Sequence, residues 1–298
     1  MQHFIQALIQ AKQYHRVLEV AGDRFILDFV KNASHYFLMG IAQAEEGLLK
    51  EAIASFETCI QRKDLPTLSP ILPDIHTGIP HAFMAIIHEK QGDVERAHAC
   101  FRKGLEVSPD HQQVLTDYAL FLDRSGEPIK ALEWLNKHVK QAGHHARFWL
   151  TGFHIASRHS GMETFALDWT TEALKACGED AGVLYAHLQA LTENKHWSKA
   201  GSFKAEFLPK PVDPDQVALS ILVELMTDNP LSPVMGNEKS SSEAFIRYYR
   251  KLLTLKDAGA INQISQSLPL LAGFLPSASE LITGAVRSAD DACVLQTS

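Results

Sequence analysis

Five alanines, Ala52, Ala97, Ala131, Ala166 and Ala200, recur along the chain at intervals of 45, 34, 35 and 34 residues. Five residues before them stand Gly47, Gly92, Gly126, Gly161 and, at the last place, Lys195. Four residues after them stand Phe56, Phe101, Leu135, Thr170 and Lys204, so the apolar partner fades towards the C-terminus. A period near 34 is the length of two helices and a turn. A unit of that size cannot bury its apolar face alone, so copies must stack on their neighbours. Stacked helix pairs present an extended surface, and the kind of work implied is holding another molecule.

Composition fits that reading and removes several others. Apolar residues make up 46% of the 298, enough for a continuous core, and charged residues 21%. A net charge of -7 provides no clustered basic face, so a nucleic-acid partner is not expected. The four cysteines, Cys59, Cys100, Cys177 and Cys293, lie far apart with no CxxC pair. That usage suits a reducing compartment, with Cys59 on a core-facing repeat position. The N-terminus, Met1 to Gln6, has no basic region and makes a poor signal peptide. No apolar run approaches the ~18 residues of a membrane helix, so membrane insertion is not expected and the chain is read as cytoplasmic.

The units pair large and small side chains where two helices cross. Residues 33–66 place Tyr36, Met39 and Gly40 on the first helix, Gly47 in the turn, and Ala52 and Phe56 on the second. Residues 78–111 give Met84, Ala85, Gly92, Ala97, Phe101 and a closing Pro109; residues 112–145 give Leu115, Tyr118, Ala119, Gly126, Ala131 and Leu135. This pattern resembles the tetratricopeptide repeat (TPR). Residues 146–180 keep Gly161, Ala166 and Ala173, but two registers of the first helix remain open: Phe148 with Gly152, or Trp149 with Phe153. Residues 181–214 keep Leu184, Leu188, Leu191, Trp197 and Ala200. A degenerate pair is expected over 1–32, with Tyr14 and Val17 one period before Leu49 and Ala52. The resemblance implies an all-α fold, a right-handed α-solenoid of stacked TPR helix pairs over 1–214.

The 45-residue interval contains an insert, Thr67 to Thr77, in which Pro70 and Pro73 forbid a regular helix. It is apolar (Leu68, Ile71, Leu72, Ile75), and packing against neighbouring helix ends is favoured over a flap on the groove. After the repeats, Asp213, Pro214 and Gln216 form a capping signal for a helix carrying Val217, Ile221, Leu222 and Leu225. A flexible loop is expected over 229–242, then a helix from about Ser242 with Phe245, Tyr248, Tyr249, Leu252 and Leu253. Helical character resumes after Gly259 with Ile261, Ile264 and Leu268, until Pro269 interrupts it. Ser277 to Glu280 resembles a capping box opening a last helix to about Ala289, with a frayed end from Asp290. Residues 215–298 are thus expected to be a helical C-terminal cap.

Chemistry-bearing motifs are missing. There is no HExxH, GxGxxG, GxxxxGK[ST] or GxSxG. All 15 histidines lie between His3 and His196, without ligand spacing; His81, His88, His144 and His145 read as satisfied core or junction residues. No metal, cofactor or catalytic residue is expected, and the chain is read as non-enzymatic.

In the family the first helix of each unit lines the concave face, through positions two, five, nine, twelve and thirteen. Those places hold Ser34, Phe37, Ile41, Ala44 and Glu45, then Ile79, Ala82, Ile86, Glu89 and Lys90, then Gln113, Thr116, Leu120, Asp123 and Arg124. Trp149 or Phe153, Arg158, Tyr185 and Glu193 continue the series. The chaperone-adaptor members grip a carboxylate with Lys and Asn at positions two, five, six and nine. Here those positions are Ser34, Phe37, Leu38 and Ile41, then Ile79, Ala82, Phe83 and Ile86, which argues against such a clamp. The expected groove, Phe37, Ile41, Glu45, Ala82, Ile86, Glu89, Lys90, Thr116, Leu120, Asp123, Arg124 and Trp149, suits an amphipathic or apolar protein segment. The chain's own C-terminal helices are the competing occupant. The layout after the repeats also resembles the helical tails that follow TPR segments in some bacterial glycosyltransferase polypeptides. The second functional reading is therefore an accessory module of a modification system, without its own catalytic domain.

Overall fold

In the computed structural model, residues 2–22, 32–65, 72–231, 233 and 237–285 are described, and every regular element among them is helical. The expected sites at Leu68, Pro70, Ile71, Cys293 and beyond Ala285 lie outside the described residues. The fold is an all-α solenoid of helix pairs. It divides into two compact units, Met1–Ile155 and Ala156–Ser298. The fading of the alanine ladder suggests a repeat array to 214 followed by a helical cap; within the second unit the helix pair at 181–214 packs with the helix that follows it.

The first unit contains α1 (Gln2–Gln10), α2 (Tyr14–Gly22), α3 (Ala33–Glu45), α4 (Leu49–Arg62), a 3-10 turn (Pro73–His76), α5 (Ile79–Lys90), α6 (Val94–Val107), α7 (Gln112–Arg124), α8 (Pro128–Lys137), the short α9 (Val139–Ala142) and most of α10 (Ala146–Arg158). The helices pack in pairs, α1 with α2, α3 with α4, α5 with α6 and α7 with α8, and α5 also lies against α7. Each pair turns through one left-handed residue: Lys12 (φ 55°), Gly47 (79°), Gly92 (78°) and Gly126 (83°). Glycine carries no Cβ to clash in that region, which explains its recurrence. The next amide reaches back five residues to cap the first helix: Leu48 to Gln43, Asp93 to His88 and Glu127 to Leu122, at 2.8 to 2.9 Å. Asn32 and Asp93 cap the starts of α3 and α6 through His35 N–H and Arg96 N–H.

The ladder alanines Ala52, Ala97 and Ala131 are completely buried, as are Phe56, Phe101 and Leu135. Close approach is literal at Gly40, where an added Cβ would meet the Phe56 ring at 2.8 Å. Phe56 stacks on Phe83 of the next repeat (5.4 Å, 12°), and Phe37 meets both rings edge-on. Within the described part of the insert, Ile75 is buried, Leu72 packs on the core and its N–H donates to Ser34 Oγ at 2.8 Å.

The second unit contains α11 (Glu163–Cys177), α12 (Ala181–Glu193), α13 (Trp197–Phe207), α14 (Pro214–Met226), α15 (Glu238–Thr254), α16 (Ala258–Gln266), α17 (Leu268–Leu271) and a helix over 276–285. Left-handed turns recur at Gly161 and Lys195 and continue past the alanine ladder at Asp228 and Lys256. His196, Asn229 and Asp257 make the same five-residue return bond, to Leu191, Glu224 and Leu252. Three sequence expectations change here. Helix α15 starts at Glu238, because Asn237 accepts the N–H groups of Lys239 and Ser240, which shortens the expected 229–242 loop. Pro269 opens α17 rather than ending a helix. Ser277 is not a cap: Pro276 is already helical and the Ser277 backbone and hydroxyl face Glu238.

The apolar partner of the ladder has also changed character. Thr170 Oγ1 lies 3.0 Å from His187 Nδ1, and Lys204 Nζ donates to the buried Glu224 carboxylate at 2.7 Å. Where the first unit stacks aromatic rings, the second pairs polar groups.

Candidate functional site

The expected groove residues lie on the first helices of the first unit, and their side chains divide into three groups. Phe37, Ala82, Thr116, Asp123 and Trp149 are buried. Phe37 points sideways into the next repeat, Thr116 Oγ1 donates to Gln113 O at 3.0 Å, and Trp149 Nε1 donates to Gly143 O at 2.6 Å. They belong to the packing rather than to an open groove. Ile41, Ile86 and Leu120, each at position nine, are half-buried. Glu45, Lys90 and Arg124 are exposed, with Glu89 between them in exposure.

Arg124 joins neighbouring repeats. Its Nε and Nη2 donate to Glu89 Oε1 and Oε2 at 2.6 and 2.8 Å, a forked pair that pushes the guanidinium's pKa further up. Glu45 and Lys90 have no such tie among the described residues. The face thus offers three apolar side chains in series, edged by a neutralised pair and two free charges. At α10 both sequence registers turn inward, since Phe148, Trp149, Gly152 and Phe153 are all buried.

Nothing on this face resembles reaction chemistry. A hollow of about 450 Å³ elsewhere in the unit, floored by Tyr118 and Trp134, holds the Tyr118 hydroxyl 3.3 Å from His98 Nδ1, and its rim pairs Lys130 with Glu127. No group of three or more His, Cys, Asp or Glu able to hold a metal occurs among the described residues. The histidines are less satisfied than their positions suggested: Nδ1 of His81, His88, His111 and His196 is buried without a protein partner. Burial lowers the pKa of His81, aided by Lys103 and Lys63, which keeps the ring neutral. The Cys59 thiol is pushed up to about 12 by burial, an inert core group.

The sequence profile of the tetratricopeptide repeat matches residues 81–111, which are α5 and α6 with the Gly92 turn between them. The C-terminal part of a TPR repeat-containing protein from Cytophaga hutchinsonii shares the fold, with a TM-score of 0.51, 10% identity, and coverage of 88% of this chain and 99% of that one. The chain thus contains a tetratricopeptide repeat at residues 81–111, within a fold of the same kind. PilF of Pseudomonas aeruginosa is similar at TM-score 0.46 and 13% identity, covering 75% and 91% of the two chains. A MamA fragment from Desulfovibrio magneticus is similar at 0.41 and 16%, covering 60% and 94%. No curated protein matches by sequence.

In TPR terms, the second unit contains a feature that sequence spacing did not reveal. Glu193 ends the first helix of its repeat, is 6% exposed, and carries a pKa raised by burial. Gln189 Nε2 donates to its Oε1 at 2.9 Å, while Oε2 has no protein partner. Lys251 and Tyr248 of α15 are both close enough to interact electrostatically with Glu193, and Lys251 Nζ donates to Ser157 O at 2.9 Å. Arg247 reaches Asp215 at 2.6 Å. Within this unit, therefore, α15 meets the end of one first helix through Lys251. No sequence signal short of the contact itself links Lys251 to residues 58 and 94 positions away.

No helix among the described residues is long and apolar enough to cross a membrane.

Proposed function

We propose that this protein is a non-enzymatic scaffold or adaptor whose first unit binds a protein segment on the concave face of its first helices. The observation that carries the reading is the series Ile41, Ile86 and Leu120. Three successive repeats leave the same position partly open and apolar, while the ladder positions beside it are sealed. A partner helix or strand would bury those side chains, and Glu45, Lys90 and the Glu89–Arg124 pair would set its orientation. Binding through such a strip needs no metal, cofactor or nucleophile.

The test replaces Ile41→Glu and Ile86→Glu together. Both side chains are partly exposed, so the fold should survive, which circular dichroism checks. Proteins captured by the wild-type chain should be lost from the double variant. Recovery of the same set by a folded variant would refute the strip as the binding surface.

A further inference from the structure

The two units contain the same acidic residue in the same place with opposite surroundings. Glu45 stands two residues before the left-handed Gly47, and Glu193 two residues before the left-handed Lys195, each at the last turn of a first helix. Glu193 is buried, with Lys251 of α15 within electrostatic reach. Glu45 is exposed, with no ion pair or hydrogen bond to its carboxylate among the described residues. The chain thus brings, on its own second unit, a cation of a basic helix to the neighbourhood of this position.

That element has a definite chemistry. Helix α15 carries Lys239, Arg247, Arg250 and Lys251 against Glu238 and Glu243. It lays the Lys251 ammonium on the Ser157 carbonyl at the end of one first helix, within electrostatic reach of the carboxylate that ends the next. A cation is favoured there twice, by the acid and by the exposed carbonyls of a helix C-terminus. The first unit offers an acid at the end of α3 as well, where Glu45 is followed by a second exposed acid, Glu46. Further along, Arg124 is already neutralised by Glu89, and Lys90 supplies the opposite sign. The face is therefore negative at its α3 end and apolar through Ile41, Ile86 and Leu120.

We propose that the strip accepts a basic amphipathic helix, with a Lys or Arg seated over Glu45 and Glu46 and its apolar side along Ile41 and Ile86, as α15 seats Lys251 beside Glu193. This inference rests on the peptide-binding reading above and adds the partner's charge and direction to it.

The probe is a blocked synthetic peptide of Asn237–Leu255, fluorescently labelled and titrated into the full chain. A control peptide carries Arg247→Glu, Arg250→Glu and Lys251→Glu. The basic peptide should bind at least tenfold more tightly than the control, with an advantage that shrinks as salt rises. Glu45→Lys with Glu46→Lys in the protein should reverse the preference. Equal binding of both peptides, lost together in Ile86→Glu, would overturn the charge assignment and leave the apolar strip standing. Binding that survives Ile86→Glu would place the peptide elsewhere and overturn the site. Failure of both peptides to bind would overturn the strip as well.

Discussion

Replacing Lys204 with alanine tests whether the polar pairs of the second unit have taken over the role of the ladder aromatics. Lys204 Nζ lies 2.7 Å from Glu224 Oε1, and the two side chains are 22% and 5% exposed. The gross attraction at that distance is about 6 kcal/mol with an effective dielectric constant of ~20, most of it offset by desolvation. Removing the lysine takes the cation from the buried Glu224 carboxylate while the cost of burying that carboxylate remains. Breaking a buried pair from one side costs roughly 3–5 kcal/mol, and the 22% exposure of the lysine side chain sets this pair at the lower end. Urea unfolding followed by circular dichroism should therefore show Lys204→Ala destabilised by about 3 kcal/mol at pH 7. The double variant Lys204→Met with Glu224→Leu should return to within about 1 kcal/mol of wild type. A loss under about 1 kcal/mol in Lys204→Ala, or a double variant no more stable than Lys204→Ala, would refute the reasoning.

Three further outcomes follow from the same geometry. Burial lowers His187 to about 4 from 6.5, so the unfolded chain binds the proton first; stability should be complete above pH 6.5, fall as pH drops towards 4, and have lost about 2 kcal/mol by pH 5, as urea midpoints across that range would show. Gly78→Ala would place a Cβ 2.1 Å from the Gly104 carbonyl oxygen, backbone that cannot swing aside, so thermal denaturation should report a loss of about 2 kcal/mol or more. Lys195→Gly relieves a side chain held at φ 59° and should stabilise by about 0.5–1 kcal/mol in the same assay.

Much of the fold was legible because the repeat places glycine and alanine where nothing larger fits. Gly92 sits at φ 78°, Ala97 and Ala131 are fully buried, and both follow from spacing alone. The turn ladder nevertheless runs further than the letters show. Asp228 and Lys256 adopt the left-handed conformation without being glycine, so the turns after α14 and α15 were invisible to a search for glycine. The site was legible only in part for a similar reason. Repeat position predicts which way a side chain leaves its helix, but not how far the neighbouring helix covers it. Phe37 and Thr116 leave in the expected direction and end beneath neighbours, whereas Ile41, Ile86 and Leu120, one turn further on, stay half-open.

The fading of the alanine ladder has a physical meaning beyond loss of pattern. In a stacked array each interface is a separate, nearest-neighbour contribution to stability. The first unit fills its interfaces with Phe56, Phe83, Phe101 and Phe121, whose packing does not change with protonation. The second fills the equivalent places with Thr170 and His187, then Lys204 and Glu224, whose contribution depends on charge state. A surface that must hold its shape while a partner comes and goes is better built on the first kind. The half-open isoleucines lie on that unit, immediately outside the stacked rings. The polar interfaces lie in the other unit, where Glu193 is buried and Lys251 of α15 acts on it electrostatically. The aromatic half of the ladder thus carries the half-open series, and the close packing of its core is what fixes the spacing of Ile41, Ile86 and Leu120.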